Sequence, residues 1–231
     1  MKQVNFLGLF LCLLMLSACK KGTNEDPRTA KLLTDSVSYT VNGKKYVSNN
    51  IEKGTTLNTQ SNTKITSDEY HSYLIKGDED SLLFVRDFAI KADQSFIILS
   101  FIKVYNKDIT EFASENNGGW LQYPKNRTDI FAPGMYKYAT DYWRNNSISG
   151  IAVRIINDKG DYKSYTQWDL TKPASVISAD QRDSKFEIIS ITKREKDYLL
   201  EAKFNLTVFN DNKQSQKIEN GYLRFSVLKV L

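Results

Sequence analysis

Tyr198-Leu199-Leu200-Glu201-Ala202-Lys203-Phe204-Asn205-Leu206-Thr207-Val208-Phe209 alternates along its length. Tyr198, Leu200, Ala202, Phe204, Leu206 and Val208 fall on one side; the other side carries Glu201, Lys203, Asn205 and Thr207 between Leu199 and Phe209. Successive side chains of a strand point to opposite faces, so this pattern predicts a strand with one face on a core and one in water. Such a strand needs antiparallel neighbours. The expected ones are 186–192, reached through the charged turn 193–197, and 221–230, reached through the polar turn 210–217.

Working outward, the run Phe96-Ile97-Ile98-Leu99-Ser100-Phe101-Ile102-Lys103-Val104-Tyr105 is apolar on both alternating faces. That is expected of a strand buried between two layers, and it marks the centre of the fold. Two more strands are predicted before it, at 69–76 and 82–91, with turns at Gly77-Asp78-Glu79-Asp80 and at 92–94. Val37-Ser38-Tyr39-Thr40-Val41 and Lys44-Lys45-Tyr46-Val47 flank Asn42-Gly43, a pair that tolerates the positive φ angles of a tight hairpin turn. Residues 48–68, polar with few apolar anchors, read as an exposed loop or an edge strand. The stretch 106–148 breaks the rhythm, with a short helix expected at 109–115. A last hairpin is predicted at 150–156, turning at Asn157-Asp158-Lys159-Gly160 and returning over 161–168. Short antiparallel strands at this spacing predict an all-β fold, an antiparallel β-sandwich or curled barrel with one irregular middle segment.

The N-terminus carries a separate signal. Lys2 precedes an apolar run, 4–16, interrupted only by Asn5 and Gly8, too short for the roughly 20 residues of a bilayer span. It ends in Leu16-Ser17-Ala18-Cys19. These four residues resemble the lipobox of bacterial lipoproteins. The resemblance implies diacylglycerol on the Cys19 thiol, cleavage after Ala18, acylation of the new amine and a lipid anchor in a membrane. Lys20, in place of the aspartate that favours inner-membrane retention, points to the outer membrane. The resulting division is 1–18 signal peptide, 19–36 flexible tether and 37–231 single all-β domain. A disordered tether of that length places the domain roughly 20–25 Å from the lipid.

Cys12 lies inside the segment to be removed, so no disulfide is expected in the mature chain and its fold must be held by burial and backbone pairing. The 32 Lys+Arg against 27 Asp+Glu give a net charge of +5, spread along the chain. An excess this small and this scattered argues against nucleic acid as a partner.

Three further stretches carry a resemblance. Val41-Asn42-Gly43-Lys44, Phe131-Ala132-Pro133-Gly134-Met135-Tyr136, and Ala202-Lys203-Phe204-Asn205-Leu206 followed by Ile218-Glu219-Asn220-Gly221-Tyr222-Leu223 are similar to segments of uncharacterised Bacteroidetes-type all-β lipoproteins. The resemblance implies an all-β envelope lipoprotein and transfers no catalytic residue. Asp35-Ser36-Val37 and Asp80-Ser81-Leu82 resemble the acceptor of O-glycosylation in the same bacteria, which makes Ser36, at the end of the tether, the candidate acceptor.

The residues offer little for catalysis. His71 is the single histidine, so a His-based metal site is not expected, and no nucleophile elbow or phosphate-cradling loop is present. No metal or cofactor is expected. Two carboxylates suffice for glycoside hydrolysis, and the loop candidates are Asp78, Glu79, Asp80, Asp141, Asp158, Asp161 and Asp169. Most sit in apparent turns, where Asp bonds nearby backbone amides. The expectation is a non-enzymatic binding or structural module of the envelope; the alternative is a secreted carbohydrate-active enzyme using two loop carboxylates. All three tryptophans and much of the tyrosine cluster between 120 and 168, mostly in the irregular part. Irregular segments lie on the surface of a rigid scaffold, so Trp120, Tyr123 and Trp143 are candidates for a platform that stacks a glycan or an envelope protein. Trp168, at the end of a predicted strand, is expected to be structural.

Overall fold

A computed structural model describes residues 34–67, 72–92, 95–112, 121–166 and 172–229, all within one compact unit, Thr34–Leu231. Among the described residues are thirteen strands: β1 (Ser36–Val41), β2 (Lys44–Ser48), β3 (Asn50–Ser67), β4 (Ser72–Ala92), β5 (Ser95–Asn106), β6 (Thr110–Phe112), β7 (Gln122–Pro124), β8 (Gly134–Tyr136), β9 (Gly150–Asn157), β10 (Gly160–Lys163), β11 (Lys185–Lys193), β12 (Asp197–Phe209) and β13 (Ser215–Lys229). Eleven form one antiparallel sheet in the order β2-β1-β13-β12-β10-β9-β5-β4-β3, with β11 on β12 and β8 on β11; β6 and β7 form a small second sheet. The large sheet curls into a half-barrel. Ser48 at the end of β2 donates its hydroxyl to the carbonyl of Lys91 on β4, tying one end of the strand order to the strand next to the other end.

The alternating stretch forms β12, paired with β11 and β13 as its pattern requires. Leu200, Ala202, Leu206 and Val208 are buried in the main core with Phe225, Leu223 and Ile218 from β13. The first hairpin turns at Asn42 and Gly43, φ 49° and 80°, both in the left-handed region the pair was expected to supply. Strand β5 lies between two layers. Its Ile97, Leu99, Phe101 and Tyr105 enter the inner core, where Phe88, Phe101, Phe131 and Phe186 meet largely edge to face. Ile102 faces the other way, into a second cluster with Leu83, Val85, Ala139, Tyr142, Ala152 and Tyr165. The irregular segment and the residues after β10 supply the cover of that outer face.

Three sequence expectations are corrected. Gly77-Asp78-Glu79-Asp80 is not a turn between strands: β4 runs through it, and the register jumps from Gln60↔Leu82 to Ser61↔Asp78, so the extra residues form a bulge. Turn chemistry and bulge chemistry share residues, here Gly and an Asp78 carboxylate that accepts from the Asp80 amide. The helix expected at 109–115 is a single 3₁₀ turn, Lys107–Ile109, followed by β6. β13 begins at Ser215, so the polar turn before it is shorter than its composition indicated. Residues 48–68 resolve to the edge strand β3.

Candidate functional site

The outer cluster is covered by a tight turn after Tyr138. The carbonyl of Asp141 accepts from the amides of Arg144, Asn145 and Asn146 at 2.9, 3.1 and 3.2 Å, and its carboxylate accepts from the amide and hydroxyl of Ser147 at 2.8 and 2.7 Å. Two residues of the turn are left-handed, Trp143 at φ 63° and Asn146 at φ 52°. Asn visits that region readily, but a bulky side chain there costs about 1–2 kcal/mol. Buried Asn146 holds the conformation by accepting the Trp143 amide on Oδ1 at 2.9 Å.

This strained backbone presents a ring at the surface. Trp143 is 36% exposed. Its ring centre lies 5.3 Å from that of buried Tyr142, which in turn meets Tyr165 edge to face at 5.3 Å. Between them and the edge strand lies a hollow of about 150 Å³ lined by Leu57, Asn58, Thr59, Leu83, Tyr142, Trp143 and Asn146. At roughly 30 Å³ per water, that space holds about five waters. Among the described residues its wall combines aromatic faces with amide and hydroxyl groups and contains no charged side chain, a lining suited to a neutral ring bearing hydroxyls.

Behind Tyr142, on the same face of the sheet, lies the Asp87 carboxyl. Burial pushes its pKa up, against the opposing pull of a hydrogen bond to Ser100 and the charge of Arg86. Its Oδ1 is buried without a hydrogen-bond partner. Burial also pushes the Tyr142 hydroxyl up, and the nearby Asp87 charge adds to the effect.

The expected platform is not assembled as the sequence drew it. Tyr123 is on β7, packed against Phe84 of the inner core at 6.0 Å and overlaid by the Arg127 guanidinium at 4.9 Å; it does not line the Trp143 hollow. Trp120 and Trp168 lie outside the described residues, as do Cys19, His71 and Asp169. Tyr136 and Tyr138, close to Trp143 in the chain, belong to the inner core instead: Tyr138 donates to the carbonyls of Asn205 and Lys185, and Tyr136 to those of Ala132 and Ile130. Ser36 is the first residue of β1, half-buried and opposite Arg224, and the Asp35 carboxylate before it accepts from the Ser226 amide at 3.0 Å.

The candidate carboxylates are dispersed. Asp78, Glu79 and Asp80 belong to the β4 bulge and Asp158 to a hairpin tip. Asp161 is gripped by Arg154 at 2.9 and 2.8 Å and by Lys163 at 3.0 Å. Two larger hollows, of about 420 and 590 Å³, contain one carboxylate each, Glu187 and Asp129. Among the described residues no group of three or more His, Cys, Asp or Glu side chains gathers to hold a metal. Leu57, Leu83 and Asn146 were not singled out by the sequence; of these, only Asn146 left a trace, in the turn-forming pair Asn145-Asn146. Comparison with known protein families, with curated proteins and with solved structures finds no match.

Proposed function

We propose that the chain is an envelope lipoprotein, anchored through Cys19 in the outer membrane, whose half-barrel is a non-enzymatic binding module with its ligand contact at Trp143. The observation that carries the reading is the left-handed, partly exposed Trp143 over an uncharged hollow. Strain of this kind persists where surrounding structure enforces it, and it clusters at binding surfaces. The size and lining of the hollow favour one sugar ring of a glycan, stacked on the indole and bonded at its rim. Among the described residues no carboxylate lines the hollow, which supports binding over glycoside hydrolysis, a reaction that needs two flanking the bond. The test is capture from intact cells with wild type and Trp143→Ala in parallel, identifying glycans and envelope proteins. The reading predicts a glycan retained by wild type and lost by the variant; equal capture by both places the contact elsewhere.

A further inference from the structure

The outward face of the sheet carries another hollow, which shares no lining residue with the one at Trp143. Phe186 and Ile188 of β11, Ala202 of β12 and Leu223 of β13 are buried in the inner core, so their chain neighbours point the other way. Tyr222 of β13 stands opposite Lys203 of β12, Lys203 opposite Glu187 of β11, and Glu187 opposite Met135 of β8. These four residues make a row across four strands, roughly 14 Å long at the usual strand spacing. Two residues along the same strands, Lys185 faces Asn205. All six line a hollow of about 420 Å³, inside the roughly 300–1,000 Å³ range of small-molecule sites. Lys185, Glu187, Lys203 and Met135 are exposed, Met135 by 62%, so the hollow is open to solvent.

The Tyr222 ring at one end is held in place. Its hydroxyl donates to one oxygen of Glu201, whose other oxygen accepts from the Ser190 hydroxyl at 3.1 Å. Burial, with the Glu201 carboxylate beside it, pushes the Tyr222 hydroxyl up to about 12, so it remains a neutral donor there. Between the ring and Met135, Glu187 and Lys203 face each other directly, a placement that sets Cβ atoms about 4.5–5.5 Å apart. Among the described residues they form no ion pair, and neither does Lys185. On β13, by contrast, Lys217 and Glu219 close to 3.1 Å. The floor of the hollow is therefore four polar corners, with Lys185 and Lys203 on one diagonal and Glu187 and Asn205 on the other. It carries one net positive charge, and its charged groups are free to meet a ligand.

We propose that this hollow binds a sugar acid: a uronate ring packs on Tyr222, its carboxylate sits between Lys203 and Lys185, and its hydroxyls donate to Glu187. One net positive charge matches a monoanion. The Glu187 carboxylate within the floor opposes a phosphate dianion and the successive charges of an acidic peptide, but accepts from hydroxyls. The apolar face of a pyranose suits the fixed ring, and a ring already held by Glu201 loses little freedom on binding. The site stands independently of the contact at Trp143.

The test is calorimetric titration of the full chain with sodium glucuronate and sodium galacturonate, against glucose, inorganic phosphate and triglutamate. At least one uronate binds wild type and Trp143→Ala equally, more weakly as salt is raised, and the other three probes do not bind. Lys203→Gln, a change at an exposed side chain, weakens uronate binding by roughly 10-fold. Tyr222→Ala abolishes it, whereas Tyr222→Phe, which keeps the ring, retains it. Glu187→Gln removes the opposing charge and lets phosphate bind. The proposal is overturned if neither uronate binds, if glucose, phosphate or triglutamate binds wild type as well as the uronates do, or if Lys203→Gln binds like wild type.

Discussion

Replacing Trp143 by alanine and by glycine separates the ring from the backbone that presents it. With 36% of the residue exposed, about two thirds of its surface is buried, and truncation loses that burial. An aromatic side chain buries roughly 150–250 Å² in full, and at about 25 cal/mol/Å² the loss is roughly 2.5–4 kcal/mol, an upper figure because the unfolded chain is itself partly collapsed. Both variants lose this term equally. They differ in the backbone: alanine inherits the left-handed strain at φ 63°, whereas glycine is free of it, which favours glycine by about 1–2 kcal/mol. At an ordinary position glycine is the less stable of the two by about 0.5–1 kcal/mol, so the order of the variants is inverted here. Urea unfolding of wild type, Trp143→Ala and Trp143→Gly measures both quantities. A glycine variant less stable than the alanine variant would refute the strained turn, and with it the argument that the fold holds this ring out for a purpose.

Two further perturbations test the packing that carries the site. Burial raises the Asp87 carboxyl above its ordinary 3.8, so its stabilising contribution is complete below that value and is lost as pH rises through the raised one. Asp87→Asn should therefore melt higher than wild type near neutral pH, with the advantage shrinking toward about pH 4; thermal melts across that range check it, and a pH-independent difference contradicts it. A methyl group added at Gly221 would lie 2.5 Å from two ring carbons and the carbonyl oxygen of Phe204. Gly221→Ala should cost roughly 1–3 kcal/mol in urea unfolding, and an unchanged midpoint would deny the close approach of β12 and β13 there.

Local chemistry made much of the fold legible. Asn42-Gly43 allows few structures other than a tight hairpin, and the two-residue period of 198–209 leaves one side of β12 for the core and one for water. The double-sided apolar run of β5 announced two layers, and the inner and outer clusters are those layers. What failed locally did so because one residue set serves two geometries, as with the Gly77 bulge read as a turn. The candidate site was legible only as a neighbourhood. Trp143 carries no propensity for a positive φ; the conformation is imposed by an Asn146 side chain reaching back three residues and by Asp141 gathering three amides.

The functional reading stands on the claim that Cys19 holds the chain at a membrane. Its direct measurement is membrane fractionation of wild type and Cys19→Ala, with the mass of the N-terminal peptide of the membrane-bound form. The account predicts a peptide that begins at Cys19 and carries a diacylglyceryl thioether, and a variant that leaves the membrane or accumulates unprocessed. A wild-type peptide that begins elsewhere without lipid, or a Cys19→Ala protein that partitions with membranes as wild type does, contradicts it.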